Sequence, residues 1–211
     1  MSPDETYKKL RDAIVTGKLQ PNERLVEADL AQLTGAGRAA IRTALVRLEQ
    51  ERLVERERNR GARVRMVSIT EAIEILEARS VLEALIARRA AENITDKDAK
   101  ALKADLAELR ERLDRGDLLA ASDANAAFHR RIIAIAKHST AERLISSLHS
   151  QMVRFQYRTI LIPGRATNSF KEHTAIAEAI LSRDPEAAEQ AMRKHLSNVA
   201  EALGTAVALA A

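Results

Sequence analysis

Apolar residues recur at helical spacing along almost the whole chain, and the exception is a pair of short segments flanking residue 60. Tyr7, Leu10, Ile14 and Val15 form one stripe and predict a helix from about Pro3 to Thr16, stopped by Gly17. The stretch Gly17-Lys18-Leu19-Gln20-Pro21-Asn22 reads as a turn, a short helix is expected over Val26 to Leu33, and Gly35-Ala36-Gly37 breaks it. A third helix from about Arg38 to Glu51 places Ile41, Ala44, Leu45 and Leu48 at i, i+3, i+4 and i+7, a core-facing stripe. Arg38 and Arg42, four residues apart, share another face near its start. Leu53 to Glu57 and Ala62 to Val67 then read as strands turning at Arg58-Asn59-Arg60-Gly61. Two helices joined by a glycine-containing turn and followed by a hairpin make a winged helix-turn-helix.

From Ser68 onward the period is helical throughout, with helices expected near 70–92, 95–115, 118–137, 140–161, 167–183 and 185–208. Thr70 and Thr95 suit N-caps, Gly116 suits a stop, and Pro163-Gly164 and Asp184-Pro185 mark breaks. The expected fold is therefore mainly α. A winged helix-turn-helix domain covers 1–67, and an antiparallel α-helical bundle of about six helices covers 68–211.

Charge separates the same two parts. Residues 1–66 carry 14 Lys+Arg against 10 Asp+Glu, whereas the remainder carries 20 of each, so the net +4 of the chain resides in its first third. Nine arginines and four glutamates fall between Arg38 and Arg65. Attraction to a polyanion, double-stranded DNA, belongs to this part. The chain has no cysteine, which excludes disulfides and thiolate metal sites. A polar Met1–Leu10 and the lack of an apolar run of about 20 residues point to a cytoplasmic protein with no membrane partner.

Three groups of residues carry candidate chemistry. Arg38 and Arg42 have the donor geometry to fork onto guanine O6 and N7; Arg58, Arg60 and Arg63 suit phosphate or minor-groove contacts, and Gly61 permits a tight turn and close backbone approach. His129, His173 and His195 lie on three different predicted helices, a set suited to a divalent ion such as zinc or nickel. Asn125 shares a helical face with His129, while Asp123 is turned away from it. Arg79 lies among Ile75, Leu76, Leu82 and Ile86, where a charged head needs a partner: either an interior glutamate or the carboxylate of a small effector. Arg154 and Arg158 are further effector candidates of the same kind.

The stretch Leu10-Arg11-Asp12-Ala13-Ile14-Val15-Thr16-Gly17-Lys18-Leu19-Gln20-Pro21, with Leu30-Ala31, Arg38, Ile41-Arg42-Thr43-Ala44-Leu45, Leu48-Glu49, Leu53-Val54 and Gly61-Ala62-Arg63-Val64, resembles the winged helix of GntR-type transcription regulators. The helical remainder is similar to the FCD ligand-binding domain of the FadR-like branch, notably in Glu77-Ala78-Arg79-Ser80-Val81-Leu82-Glu83 and Asn125-Ala126-Ala127-Phe128-His129. The resemblance implies a homodimeric, metabolite-responsive regulator whose two winged helices bind half-sites of a near-palindromic operator. It further implies a small carboxylic-acid effector beside a metal held by one Asp and three His. Here the Asp position is Asn125, an uncharged donor expected to hold a metal less tightly. The recognition helix also departs from the family pattern, opening Gly37-Arg38-Ala39-Ala40 in place of Ser-Arg-Thr-Pro, and Ala28 stands where many relatives carry an arginine. Two alternatives are a metal-dependent hydrolytic enzyme built on the three histidines, for which no well-placed Glu or Asp base is evident, and an architectural DNA binder with no effector.

Overall fold

The computed structural model describes residues 1–57, 61–152, 162 and 164–208. Its first helix, α1 (Pro3–Val15), begins at a capping box: the Ser2 hydroxyl accepts from the Glu5 amide and Glu5 answers to the Ser2 backbone. Strand β1 (Arg24–Leu25) follows, then α2 (Glu27–Thr34), which Gly35 ends in a left-handed conformation at φ 75°, and α3 (Arg38–Gln50). Strands β2 (Val54–Glu57) and β3 (Gly61–Val64) form the antiparallel hairpin.

The hairpin has a third strand that the sequence pattern did not disclose. β1 pairs antiparallel with β3 in the register Arg24↔Arg63 and Leu25↔Ala62, giving the order β1-β3-β2. Two residues are too few to show alternation, so only the partner strand reveals β1. The stripes read from sequence converge in one core: Leu10 and Ile14 of α1, Leu30 of α2, Ile41, Ala44, Leu45 and Leu48 of α3, and Val54, Ala62 and Val64 of the sheet. Tyr7 adds a polar strap between α1 and α3. Its hydroxyl donates to Glu51 at 2.5 Å and Arg47 stacks over its ring at 3.7 Å, while burial and then the Glu51 carboxylate push the phenol up to about 12.

The second unit begins with α4 (Ile69–Asn93) and continues through α5 (Asp96–Asp114), α6 (Leu118–Ala136), α7 (Ser139–Gln151, in this unit as far as Leu148), α8 (Arg165–Leu181) and α9 (Pro185–Ala208). Thr95 caps α5 through a second capping box, but Thr70 lies inside α4. α7 is described to Gln151, and the rest of the helix expected as far as 161 lies largely outside the described residues. The core is built from small and branched residues: Ala87, Ala90 and Ala91 of α4 pack with Phe128 and Ile132 of α6, Ile176 and Ile180 of α8, and Ala188 and Met192 of α9. Alanine on α4 lets the flanking helices come close enough to bring side chains from α4, α6, α8 and α9 to one centre.

Candidate nucleic-acid interface and metal centre

Arg38 and Arg42 stand on the exposed face of α3, opposite the stripe that anchors it. No acidic residue occupies the first turn of α3, and its N-cap, Gly37, offers no side chain to the free amides there. The turn thus presents unsatisfied N–H donors and two cations together. Arg42 is not free, however. Its Nε donates to Glu27 Oε1 at 2.8 Å, and that hydrogen bond is the first reason the Glu27 carboxyl lies below its ordinary value.

On the wing, Arg63 donates to Asn22 Oδ1 at 3.1 Å and lies 3.8 Å from Glu55, while Gly61 opens β3 at φ 88°, where a side chain would be strained. Arg58 and Arg60 lie outside the described residues. The face therefore unites Arg38, Arg42 and the start of α3 on one helix and places Arg63 on the sheet packed against the same core.

In the second unit, His129 from α6, His173 from α8 and His195 from α9 converge so that one ligand nitrogen of each lies within 4.8 Å of the others. The Nε2 atoms of His129 and His173 are 3.2 Å apart. Two nitrogens sharing one ion through bonds of about 2.0–2.1 Å are separated by about 3.0–3.4 Å, so this spacing fits a common cation. Asn125 Oδ1, one turn before His129, is buried without a hydrogen-bond partner, as is His173 Nδ1. Asp123 is exposed. Three converging imidazoles, with an orphaned amide oxygen one helical turn before the first of them, offer donors that a divalent ion takes, and zinc and nickel both accept them.

Around the histidines is a shell of charge. His195 Nδ1 lies 2.7 Å from Glu172 Oε2, and Glu172 also accepts two hydrogen bonds from Arg165, at 3.1 and 2.9 Å, and one from Asn198 at 2.8 Å. Burial alone would raise the Glu172 carboxyl, yet His195, Arg165 and Asn198 together bring it down to about 2. His129 Nδ1 lies 3.3 Å from Glu83 Oε2, close enough for an ion pair but without the alignment of a hydrogen bond. Arg79 completes that side, donating to Glu83 Oε1 from Nε at 2.8 Å and approaching it with Nη2 at 2.7 Å. Burial opposes ionisation of Glu83 as well, but Arg79 and His129 outweigh it and hold the carboxyl well below the usual range.

Burial, followed by the positive neighbours, drives His173 well below its ordinary value; burial drives His195 to about 4 against the pull of Glu172. Both rings are thus neutral near pH 7, the state in which imidazole coordinates. Each of two histidines backs onto a carboxylate that an arginine neutralises, an arrangement that fixes ring orientation.

The interior partner of Arg79 is therefore Glu83, four residues on, and Arg154 and Arg158 lie outside the described residues. Sequence reasoning did not single out Glu83, Glu172, Arg165 or Asn198. It also found no carboxylate near the histidines, whereas two abut them. Their lowered proton affinity and fixed pairing make them poor general bases, so they orient rings and do not take protons. Glu83 was available as the i+4 partner of Arg79, and Glu172 as the neighbour of His173.

A winged helix-turn-helix with an open arginine face, joined in one chain to an all-α unit built around a polar centre, is the architecture of a DNA-binding transcription regulator. The chain belongs to the GntR family, and its C-terminal part is an FCD domain: residues 3–64 match the bacterial regulatory proteins of the gntR family and residues 74–198 match the FCD domain. It is 30% identical over 203 residues to the HTH-type transcriptional repressor GlaR of Escherichia coli (strain K12), covering 90% of each chain. It is also 26% identical over 199 residues to the HTH-type transcriptional repressor RspR of the same organism, covering 94% of this chain and 87% of that one. Among solved structures, E. coli McbR/YncC shares the fold at a TM-score of 0.80 and 20% identity, covering 97% of this chain and 98% of that chain. Its relatives are regulators, and the hydrolytic alternative falls with the family assignment. No helix among the described residues is long and apolar enough to cross a membrane.

Proposed function

We propose that the protein is a metabolite-responsive repressor that binds a near-palindromic operator as a homodimer and is modulated by a small carboxylate near a divalent ion. Arg38 and Arg42 read bases, while Arg58, Arg60, Gly61 and Arg63 grip the backbone beside them. Asn125, His129, His173 and His195 hold the ion, and Arg79, Arg154 and Arg158 serve the effector. The supporting observation is the convergence of three histidines inside an FCD domain, with the orphaned oxygen of Asn125 one helical turn before His129. A bound divalent ion would supply a positive charge able to attract a carboxylate. The chain's own contribution is to keep His173 and His195 neutral by burial and to back His129 and His195 with the carboxylates of Glu83 and Glu172. Repression is carried over from the relatives GlaR and RspR, both named as repressors.

The test is DNA binding by the purified full chain, loaded with zinc or stripped by chelator, against a panel of small carboxylic acids. Salt-dependent binding to a selected duplex, altered by one acid only in the zinc-loaded protein, is the expected result. Failure to take up zinc or nickel removes the ion from the reading. Failure to bind any duplex removes the whole of it.

A further inference from the structure

Glu27 is the first residue of α2, yet its carboxylate is committed to α3: Oε1 takes the hydrogen bond of Arg42 Nε at 2.8 Å. The Arg42 side chain remains 67% exposed and that of Glu27 34%, so the pair stands at the surface with the far end of the guanidinium in solvent. An arginine can fork onto an acceptor pair side-on, through Nε and one Nη, or end-on, through both Nη atoms. With Nε occupied, the side-on fork is lost and only the end-on fork remains.

Charge on this face points the same way. Glu27 lies in the field of Arg38 and Arg56 as well as Arg42, and its carboxyl is shifted down accordingly. A carboxylate in the middle of a cationic face weakens general attraction to phosphate. It is useful there only if it does something for recognition. α2 carries Ala28 next to Glu27, so α2 adds no arginine of its own at that point.

We propose that Glu27 is a positioning residue for base reading. It holds Arg42 extended from α3 in the orientation that presents its two Nη atoms to the O6 and N7 acceptors of a guanine, and it repels any register that would put a phosphate in the guanine's place. The inference rests on the DNA-reading role of α3 given above.

The test selects duplexes from a randomised library with the full-length wild type and with Arg42→Ala, Glu27→Ala and Glu27→Gln. Affinities are then measured for the wild-type-selected duplex and for a scrambled duplex of equal composition. Arg42→Ala and Glu27→Ala are expected to lose guanine preference at the same base pair of each half-site. Glu27→Ala should weaken the selected duplex about tenfold while leaving the scrambled one unchanged or tighter. Glu27→Gln, whose amide oxygen still accepts from Nε, should restore most of the preference. Unaltered base preference in Glu27→Ala would overturn the proposal, as would relaxation at a different position from Arg42→Ala. Equal tightening of both duplexes would overturn it too, because the carboxylate would then be a competitor and not a guide. If the wild type itself selects no sequence, the DNA-reading assignment fails first; if it selects one that Glu27→Ala selects equally well, only the role of Glu27 fails.

Discussion

The two units use the same chemical pair, arginine with glutamate, in opposite ways. In the DNA-reading unit, Arg42 and Glu27 meet with 67% and 34% of their side chains exposed, and Arg47 and Asp4 with 49% and 80%. In the FCD unit, Arg79 and Glu83 meet at 12% and 3%, and Arg165 and Glu172 at 8% and 14%. Water and salt screen the first kind, so the contact adds little to stability and leaves most of the arginine open to a phosphate or a base edge. The second kind is shielded, and removing one partner strands the other in a dry interior. Charge is left accessible where the protein meets a polyanion and sealed in where it must hold a centre in place.

The contrast is sharpest in stability. Glu83→Ala leaves Arg79 buried without an anion, and urea unfolding should show a loss of about 3–5 kcal/mol. A loss below about 1 kcal/mol would place this pair with the surface pairs and dissolve the distinction. Next in size is zinc affinity. Glu172→Gln removes the charge that orients His195, and a competition titration against a chelating dye should find zinc held about 10–100-fold more weakly, with the fold intact.

A third test probes the Tyr7 strap of the DNA-reading unit. The Tyr7 phenol is raised in the folded state to about 12, so its contribution is complete below its unfolded value near 10 and is lost as pH climbs from about 10 to about 12. Over that window wild type should lose about 2 kcal/mol more than Tyr7→Phe in chemical unfolding. Equal losses would show that the strap does not behave as a buried contact. Smallest of all should be the thermal effect of Arg42→Ala, whose pair is exposed: an unmoved melting temperature is expected together with lost base preference. A clear fall in melting temperature would mean that this surface pair is structural after all.

How much of this could be read from the chain depends on whether a residue's role was periodic. The core stripes of α1 and α3 and the break at Gly35 were legible because burial imposes a repeat on sequence, and Leu48 and Ile41 indeed have no exposed surface. The three histidines were legible because imidazole is rare here and its spacing over α6, α8 and α9 is distinctive. β1 was not, because pairing defines it and two residues carry no period. Nor was the charged shell. In a sequence with 30% charged residues, Glu83, Arg165 and Glu172 look like any solvated helical face, and only the packing of α4, α8 and α9 turns them inward. The hold of Glu27 on Arg42 joins two residues 15 positions apart in sequence, so no local pattern could signal it.

The last helix carries a consequence for biosynthesis. α9 supplies His195 and Asn198 to the centre and lies along α4, the helix that opens the unit. During translation, the core spanning Tyr7 to Val64 can close early, because every residue in it comes from the start of the chain. The histidine cluster has to wait until α9 clears the ribosome. For that interval the nascent polypeptide carries a finished winged helix-turn-helix while its histidine centre is still incomplete.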